Sequence, residues 1–451
     1  MRNASEFGIG IRIEIKIKIK IKMMKGAQGS GMRPPHREMK VLISAKACDP
    51  YWGSESQFGW SAVRALAKDH DLWVITGKRN QPPLERAQAG GLVPKNVCFA
   101  YAGSFGRFSS NRMWARFQDW GEYIRYARAV LPIARELHRK VRFDLAHHLT
   151  IATWRVASPL WRLGIPFAFG PVGGNEQFPL RFLPILRGAA RAFELCRMGS
   201  NLVSRLSPSV RACIRRSSHV LAANPETAAL AARMRGSDAN VTCLSPGFFG
   251  DDKIREFAAS KAAKDMRGPL RLFAGGNLEG RKGVALALRA LARVKNKGVK
   301  FRYRYCGAGP ESGAMRALAD SLGLREDALF GVELSGPAYR EELAATHVFL
   351  LPSFRESAGL TMMEAMLARG VPVVADCGGP GGIVTADCGY KIAVTTPEQM
   401  VSEIADAIVA MDRQREIILK KGGAAAERIA TGYSESNYRK VVGSVYGAMT
   451  A

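Results

Sequence analysis

The segment from residue 348 to residue 375 constrains the fold more than any other stretch of the chain. It opens with the apolar run Val348-Phe-Leu-Leu, typical of a buried strand, and closes with a second such run, Val371-Pro-Val-Val. Between them lies the helical sequence Ala365-Met-Leu-Ala, which Gly370 and Pro372 end. Two buried strands joined by a helix form a βαβ unit with parallel strands and a right-handed crossover. The segment therefore predicts an α/β fold.

Two carboxylates lie within this unit, at a place where ligands bind in open α/β sheets. Gly359 is a poor residue for a helix interior, so we expect Glu356 on the loop after the first strand and Glu364 in the first turns of the helix. The backbone N–H groups near Gly359, Leu360 and Thr361 would then form an anion site that suits a diphosphate. Glu364 could accept two sugar hydroxyls, with a reacting sugar near Glu356. The alternative interpretation is two solvated helix charges.

Strands and helices alternate in two cycles along the chain. The first cycle starts near Met39, and the second runs from about Leu270 to about Val394. With 451 residues the chain is long enough for two domains of ordinary size. Alternation of this kind implies parallel sheets. We expect four parts, which are an extension foreign to the fold (1–38), a first domain (39–224), a second domain (225–432) and a final helical segment (433–451).

Three motifs of the second cycle resemble those of the retaining glycosyltransferases of family 4. Residues 348–382 resemble the donor-site signature of that family. The sequence Gly280-Arg-Lys-Gly283 is similar to its second signature, a lysine flanked by glycines before a helix, and Tyr305-Cys-Gly-Ala-Gly-Pro310 is similar to the strand and turn that open the next helix. One departure matters, because family members carry an arginine where this chain has Gly276 and Asn277.

Two motifs of the first cycle extend the resemblance to residues 40–450. Gly53-Ser-Glu55 and Gly170-Pro-Val-Gly-Gly174 resemble acceptor-side loops of members that assemble bacterial polysaccharides. The resemblance implies the GT-B fold, in which two Rossmann-like, doubly wound domains face a central cleft. It also implies an acceptor-binding first domain, a nucleotide-sugar-binding second domain, and a last helix that returns to the first domain.

The resemblance assigns roles to the residues of the donor site. Glu364 resembles the ribose-binding carboxylate, and Glu356 the one near the sugar and the reacting centre. Retention in this family is usually explained without a covalent enzyme intermediate, because the donor phosphate itself helps to take the acceptor proton. Double displacement with a carboxylate nucleophile stays open. Arg281 and Lys282 would stabilise the leaving diphosphate, while Gly280 and Gly283 give backbone access.

The remaining candidates follow from the same resemblance. His148 corresponds to a histidine that contacts the donor sugar, with the adjacent His147 as second choice. The acceptor-binding candidates are Gly53, Ser54, Glu55, Gly173, Gly174 and Asn175. Asp69-His-Asp71 imitates a metal-binding Asp-x-Asp, but it lies between a helix and a strand on the side away from the expected cleft. We therefore expect neither a metal nor a cofactor.

The positive charge of the chain predicts an anionic partner. The net charge is +27, and residues 1–40, with ten Lys or Arg and three Asp or Glu, leave +20 for the rest. Residues 105–126 interleave arginines with aromatics, and residues 180–216 interleave them with Leu, Phe and Ile. Both patterns suit helices at an anionic membrane surface, although ordinary amphipathic helices fit as well. No nucleic-acid-binding motif is present, which makes nucleic acid the weaker hypothesis.

Sequence features also indicate the compartment. No apolar run approaches the length of about 20 residues needed for a membrane helix, and the N-terminus lacks a continuous apolar signal segment. The eight cysteines are scattered without metal-binding spacing, which favours a reducing cytoplasm. Residues 11–22 alternate isoleucine with charged residues. Because this pattern matches nothing in the fold, we interpret it as an upstream extension, with a membrane-seeking strand as the alternative.

Together these observations predict a metal-independent, hexosyltransferase-type enzyme with a nucleotide-diphosphate-sugar donor. The donor is a UDP-sugar by first choice and a GDP-sugar by second, and the acceptor is lipid-linked or a polysaccharide of the cell envelope. The predicted location is the cytoplasm, peripherally at the inner face of the membrane. The alternatives are a GT-B-like sugar-nucleotide epimerase or phosphorylase, and a basic nucleic-acid-binding or membrane-binding protein with a degenerate cleft.

Overall fold

The computed structural model describes residues 38–103, 112–186, 188–259 and 264–451, and for residues 112–121 it describes the backbone alone. The isoleucine-lysine segment at residues 11–22 therefore lies outside the described residues, as do most side chains of the aromatic-basic segment at residues 105–126. Within that segment, Tyr123 and Tyr126 are buried in the protein, so neither ring lies on a surface that could meet a membrane.

The first domain contains a seven-stranded parallel sheet with strand order β3-β2-β1-β4-β5-β6-β7. Its strands are β1 Lys40–Ala45, β2 Asp71–Gly77, β3 Val97–Ala102, β4 Leu145–Thr150, β5 Phe167–Val172, β6 His219–Ala222 and β7 Val241–Cys243. Its helices are α1 Ser54–Leu66, α2 Gln81–Ala89, α3 Arg112–Val141, α4 Gly188–Leu206, α5 Pro208–Arg216 and α6 Pro225–Arg235. The strand order reverses between β1 and β4, which opens a crevice at the carboxyl ends of these strands.

The second domain repeats this plan with a six-stranded parallel sheet of order β10-β9-β8-β11-β12-β13. Its strands are β8 Leu270–Gly275, β9 Phe301–Cys306, β10 Ala328–Val332, β11 Val348–Leu351, β12 Val371–Ala375 and β13 Tyr390–Ile392. The helices are α7 Asp251–Ala259, α8 Val284–Asn296, α9 Ser312–Ser321, α10 Gly336–Ala345, α11 Leu360–Leu367, α12 Gly378–Ile383, α13 Pro397–Arg413, α14 Glu416–Gly432 and α15 Glu435–Thr450. The expected fold of two doubly wound sheets is confirmed.

The boundary between the domains lies later than expected. We expected the second domain to begin at residue 225, directly after β6, but β7 is a strand of the first sheet and α6 packs on β6 and β7. Residues Val220–Ala222 of β6 pair in parallel with Val241–Cys243, so the first domain extends at least to Cys243. The strand β7 has three residues and no pronounced apolar pattern, which is why the sequence did not reveal it. A short edge strand carries little periodic signal.

The last helix, α15, leaves the second domain and packs on α1 of the first domain. Tyr438, Val442 and Tyr446 are buried in the core of that domain. Ser434 caps the N-terminus of the helix, and its side chain accepts a hydrogen bond from the N–H of Asn437. Arg439 of α15 forms an ion pair with Asp69, which places the Asp69 carboxylate against the back of the first domain.

A short arm of the first domain also crosses in the opposite direction. Phe178, Phe182 and Leu186, which lie between β5 and α4, are at most 2% exposed and belong to the hydrophobic core of the second domain. The ring centroids of Phe178 and Phe182 lie 4.8 and 4.7 Å from that of Phe354. Because Phe354 is on the loop after β11, this arm holds the loop that carries the predicted donor-site glutamate.

Candidate active site

The candidate site lies where the strand order of the second sheet reverses, between β8 and β11. The turn after β8 is tied to the loop after β11, because the N–H of Phe354 and the hydroxyl of Ser353 both donate to the carbonyl of Arg281, at 3.0 and 3.2 Å. Gly283 allows this approach, since its φ is +68° and a Cβ there would lie 2.1 Å from the carbonyl oxygen of Pro352. The close fit explains the glycine after the basic pair.

Glu356 is held by both residues of that basic pair. The ammonium of Lys282 contacts Oε1 of Glu356, and Nη1 of Arg281 lies 3.2 Å from the same oxygen. Burial raises the pKa of Glu356, but the charges of Lys282 and Arg281 outweigh burial and leave this pKa below its usual value. The Glu356 carboxylate is therefore ionised at neutral pH and partly desolvated. Nε of Arg281 also lies 2.7 Å from Glu279, and this second ion pair fixes the guanidinium.

The N-terminus of α11 faces the same region. Gly359 precedes it in the left-handed conformation, with φ of +73°, and the first helical hydrogen bond runs from Met363 to the Gly359 carbonyl. The N–H groups of Leu360 and Thr361 therefore have no acceptor within the helix. A Cβ at Gly275, the last residue of β8, would lie 3.1 Å from the methyl group of Thr361. The helix N-terminus and the β8 turn thus meet, as a phosphate site requires.

Glu364 has a partner on each oxygen. Nζ of Lys253 lies 2.6 Å from Oε1, and the hydroxyl of Tyr339 donates to Oε2 at 2.7 Å. Burial, followed by the adjacent Glu364 carboxylate, raises the pKa of Tyr339, so its hydroxyl keeps its proton. Lys253, on α7, and Tyr339, on α10, were not among the residues predicted from the sequence. Only the tertiary structure brings these two helices to α11.

The two adjacent histidines differ in how many of their ring nitrogens are hydrogen-bonded. His147 uses both of them, because Nδ1 lies 2.6 Å from the Tyr446 hydroxyl and Nε2 lies 2.7 Å from the Gly170 carbonyl. His148 uses Nε2, at 3.1 Å from the Ile151 carbonyl, while its buried Nδ1 has no hydrogen-bond partner among the described residues. Burial lowers the pKa of His148 to about 4, so the ring is neutral at pH 7. Of the two, His148 is the one that keeps a ring nitrogen without a hydrogen-bond partner among the described residues, and this nitrogen is buried.

The acceptor-side candidates fall into two places. Gly53 has φ of +69° and precedes α1, where Oε1 of Glu55 accepts a hydrogen bond from the N–H of Ala152 at 2.6 Å. Gly53, Ser54 and Glu55 are exposed at the carboxyl edge of the first sheet. Their backbone and side chains can therefore reach a ligand that lies over this edge.

The glycine loop after β5 lies against the donor loop. A Cβ at Gly173 would lie 3.5 Å from Oγ of Ser357, so this glycine meets the residue that follows Glu356. Gly174 has φ of +100°, and its carbonyl accepts from Arg197 at 2.9 Å. The side chain of Asn175 is occupied within the protein, since its amide donates to the Glu226 carbonyl at 2.7 Å and its oxygen accepts from Arg205 at 3.1 Å.

Behind this loop lies a network of buried polar side chains, and the sequence did not predict its contacts. Arg355 forms an ion pair at 2.8 Å with Glu194, which is 3% exposed and lies on α4 of the first domain. Glu176, 2% exposed, accepts a hydrogen bond from Asn224. The contacts of Glu194 with Arg355 and of Glu176 with Asn224 join residues that are remote along the chain, so no local sequence signal indicates them. The sequence indicates only that Arg355, which directly precedes Glu356, lies near the predicted site.

Two absences concern the described residues alone. Among them, no three or more His, Cys, Asp or Glu side chains come together in a way that could hold a metal ion. None of the helices in this part of the chain has the length and apolar character that crossing a membrane requires.

Part of the second domain matches a known family, and longer parts of the chain resemble individual proteins. Residues 255–420 match the family of glycosyl transferases group 1. The chain is 27% identical over 292 residues to a putative colanic acid biosynthesis glycosyltransferase, WcaL of Salmonella typhimurium, covering 61% of this chain and 68% of that protein. It is 31% identical over 171 residues to the lipopolysaccharide glucosyltransferase WaaG of Escherichia coli K12, covering 36% and 44%.

Solved structures show the same fold. The apo form of the lipopolysaccharide outer core galactosyltransferase WaaB superposes with a TM-score of 0.60 over 90% of this chain and 99% of that chain, at 13% identity. Two facing doubly wound sheets with the site between them define the GT-B class of glycosyltransferases. The chain shares this fold, and its residues 255–420 match the group 1 glycosyltransferases.

Proposed function

We propose that the protein is a retaining hexosyltransferase of family 4 that needs no metal. It transfers a sugar from a nucleotide-diphosphate sugar, UDP-linked by first choice and GDP-linked by second, to a lipid-linked or polysaccharide acceptor in cell-envelope or exopolysaccharide synthesis. The observation that carries the proposal is the cluster of Lys282, Arg281 and the α11 N-terminus around the ionised Glu356. The names of the relatives, in colanic acid and lipopolysaccharide synthesis, support the acceptor class. The proposed location is the cytoplasmic face of a membrane.

The donor fits the site with its diphosphate at the N–H groups of Leu360 and Thr361 and its ribose at Glu364. Lys253, whose side chain is 41% exposed, would give up its place beside Glu364 to the ribose hydroxyls or share that carboxylate with them. Tyr339 orients the other carboxylate oxygen. His148 would contact the sugar only after its buried Nδ1 becomes accessible, and its neutral ring brings no positive charge to the reaction.

Transfer requires that the diphosphate leave with its negative charge stabilised. Lys282 and Arg281 lie where that charge develops, and cations aimed at a leaving group are among the largest contributions to catalysis. Arg281 would take the role of the arginine that other members carry at the position of Gly276 or Asn277. An oxygen of the departing phosphate takes the acceptor proton on the face of the sugar that the leaving group occupied, so the anomeric configuration is retained.

Glu356 would orient the sugar and the two cations. Because its pKa lies below the usual value, this residue carries no proton to donate at neutral pH. Double displacement, with Glu356 as nucleophile, is the alternative mechanism. Mass spectrometry of rapidly quenched enzyme with donor distinguishes the two, since a glycosyl adduct on Glu356 would establish double displacement and exclude our mechanism.

Thermal unfolding with UDP, GDP, ADP and their sugar conjugates, with and without EDTA, tests the donor site. A ligand at a hundred times its dissociation constant stabilises the folded state by about 2.7 kcal/mol. We expect a rise in melting temperature with one base only, unchanged by EDTA and abolished in Glu364→Ala. Glu403→Ala, on α13 and remote from the site, is the matched control and keeps the shift. If none of the nucleotides raised the melting temperature, the proposal would be contradicted and a degenerate cleft favoured.

Product analysis separates the enzymatic alternatives. With an acceptor present, we expect the nucleoside diphosphate and a new glycosidic bond of retained configuration, both measurable by NMR. An epimerase would invert a stereocentre of the donor sugar without an acceptor. A phosphorylase would consume free phosphate and release a sugar phosphate. Either product would replace the transferase assignment.

A further inference from the structure

The helix α4 buries its polar face and exposes its apolar face, the reverse of an ordinary amphipathic helix on a soluble domain. Its three buried side chains, Glu194, Arg197 and Asn201, are all polar. Each has a partner inside the protein, namely Arg355 for Glu194 at 2.8 Å, the Gly174 carbonyl for Arg197 at 2.9 Å, and Nε of Arg155 for Asn201 at 2.6 Å. These ion pairs and hydrogen bonds offset part of the cost of burying polar side chains. The helix is therefore attached to its own protein through its polar face.

The opposite face of α4 presents large apolar side chains to the outside. Leu202, Val203 and Leu206 are 60%, 70% and 67% exposed, and Leu195 is 47% exposed. Leu195, Leu202 and Leu206 are spaced by seven and four residues, which places them on one stripe of the helix. Of the eleven large hydrophobic residues exposed in the described part of the chain, six lie between residues 180 and 206. Such concentration marks an interaction surface, whereas scattered exposed residues do not.

The charge beside this stripe is of one sign. Residues 188–216 contain six arginines, five of them outside the buried face of α4 and one, Arg197, on it, and a single acidic residue, Glu194, which points inward. Leu206 and Arg211, Arg215 and Arg216 of α5 line a shallow cavity of about 550 Å³ next to the stripe. An apolar stripe with flanking arginines is complementary to a bilayer that carries negatively charged phosphate headgroups. A second copy of this face would instead bring arginines against arginines.

We propose that the outward face of α4, together with the arginines of α5, docks the protein on an anionic lipid bilayer. Leu195, Leu202, Val203 and Leu206 enter the boundary between headgroups and acyl chains, and Arg211, Arg215 and Arg216 contact lipid phosphates. The proposal makes specific the membrane location put forward under Proposed function. It also explains why the polar face is turned inward, because that face holds Arg355, next to Glu356, while the other face remains free for lipid.

Vesicle co-sedimentation of the full chain tests the proposal. The vesicles are phosphatidylcholine alone or phosphatidylcholine with about 30% phosphatidylglycerol, a fraction chosen to give an anionic surface. The variant is Leu202→Glu with Leu206→Glu, and the control is Leu419→Glu, a leucine 57% exposed on α14 of the second domain. All three proteins share residues 1–37, so the contribution of that segment to binding is the same in each.

We expect the wild type and the Leu419→Glu control to bind anionic vesicles, and the double variant to bind at least about tenfold more weakly. Arg211→Gln with Arg215→Gln should weaken binding to anionic vesicles and reduce its salt dependence. Equal vesicle binding by wild type and double variant would overturn the proposal. A second outcome would also overturn it: a dimeric wild type and a monomeric double variant that bind vesicles equally. The occupant of the face would then be a second copy of the chain.

The nucleotide-induced rise in melting temperature is measured on the same samples. We expect the double variant to keep it, because Leu202 and Leu206 do not touch the donor site. This readout shows that the double variant is folded, and it separates failure of the docking surface from failure of the proposed transferase. A double variant that had lost the shift would be replaced by Val203→Glu alone, with the same expected loss of vesicle binding.

Discussion

Lys282 and Glu356 form a buried ion pair in which neither partner is easily replaced. Lys282 is 7% exposed, and Arg281 shares the same carboxylate oxygen. Removing one member of such a cluster leaves an uncompensated buried charge. The functional effect and the structural effect of a substitution therefore have to be separated at this position.

Lys282→Ala should lower kcat by roughly 10²- to 10³-fold, because a cation that stabilises the leaving diphosphate is lost. Lys282→Arg keeps the charge and should recover part of the rate. Steady-state kinetics with the donor identified by thermal unfolding measure both effects. If the alanine variant retained wild-type kcat, the role of Lys282 at the leaving group would be refuted.

Lys253→Ala and Tyr339→Phe test the neighbours of Glu364. We expect both to change the KM for the donor by several-fold and kcat by much less, because a ribose contact is made equally in the ground state and the transition state. Lys297→Ala, an exposed lysine on the opposite side of the second domain, serves as control. A fall in kcat at unchanged KM would place Lys253 or Tyr339 at the reacting centre instead.

At the scale of elements, α4 connects the first domain to the donor loop of the second domain. The link is the ion pair between Glu194 and Arg355, beside the aromatic contacts of Phe178 and Phe182 with Phe354. Such contacts position the Glu356 loop without touching substrate.

Glu194→Gln should lower kcat about tenfold while the nucleotide-induced rise in melting temperature persists, because the loop loses its orientation but the donor site keeps its groups. Glu194→Asp should restore part of the rate, which a purely structural role would not predict. Glu398→Gln removes an exposed ion pair with Arg293 and is the control. An unchanged kcat in Glu194→Gln would show that this link does not position the loop.

At the scale of the whole molecule, buried histidines with lowered pKa values make stability depend on pH. Burial lowers the pKa of His147 to about 3 and those of His148 and His347 to about 4. In the unfolded chain these side chains titrate near pH 6.5. The unfolded state therefore binds more protons than the folded state below this pH, and stability is full above about pH 6.5 and falls as the pH decreases toward 4.

Each buried histidine should cost up to about 1.4 kcal/mol of stability per pH unit over this range. Denaturant unfolding between pH 5 and pH 8 measures the slope. In His347→Asn, which removes a group that charges only on unfolding, we expect a smaller slope. The same slope in wild type and variant would show that His347 does not contribute.

Much of the fold was predictable because its signals are local. The apolar runs of β8 and β11, the glycines that end or begin helices, and the alternation of strands with helices predict two doubly wound sheets, and the structure confirms them. The edge strand β7 was missed, since three residues with no apolar period give no local signal. The predicted boundary at residue 224 was early for that reason.

The sequence alone determined the residues that line the turn after β8 and the loop after β11, because a glycine-flanked basic pair and a helix that begins after Gly359 are local features. Tertiary structure decided which groups meet them. Lys253, Tyr339 and Glu194 come from helices remote along the chain. The polar face of α4 is buried because Arg155 and Arg355 pair with its side chains. Local periodicity shows that a helix has two faces, but only the packing of the whole chain determines which face is buried.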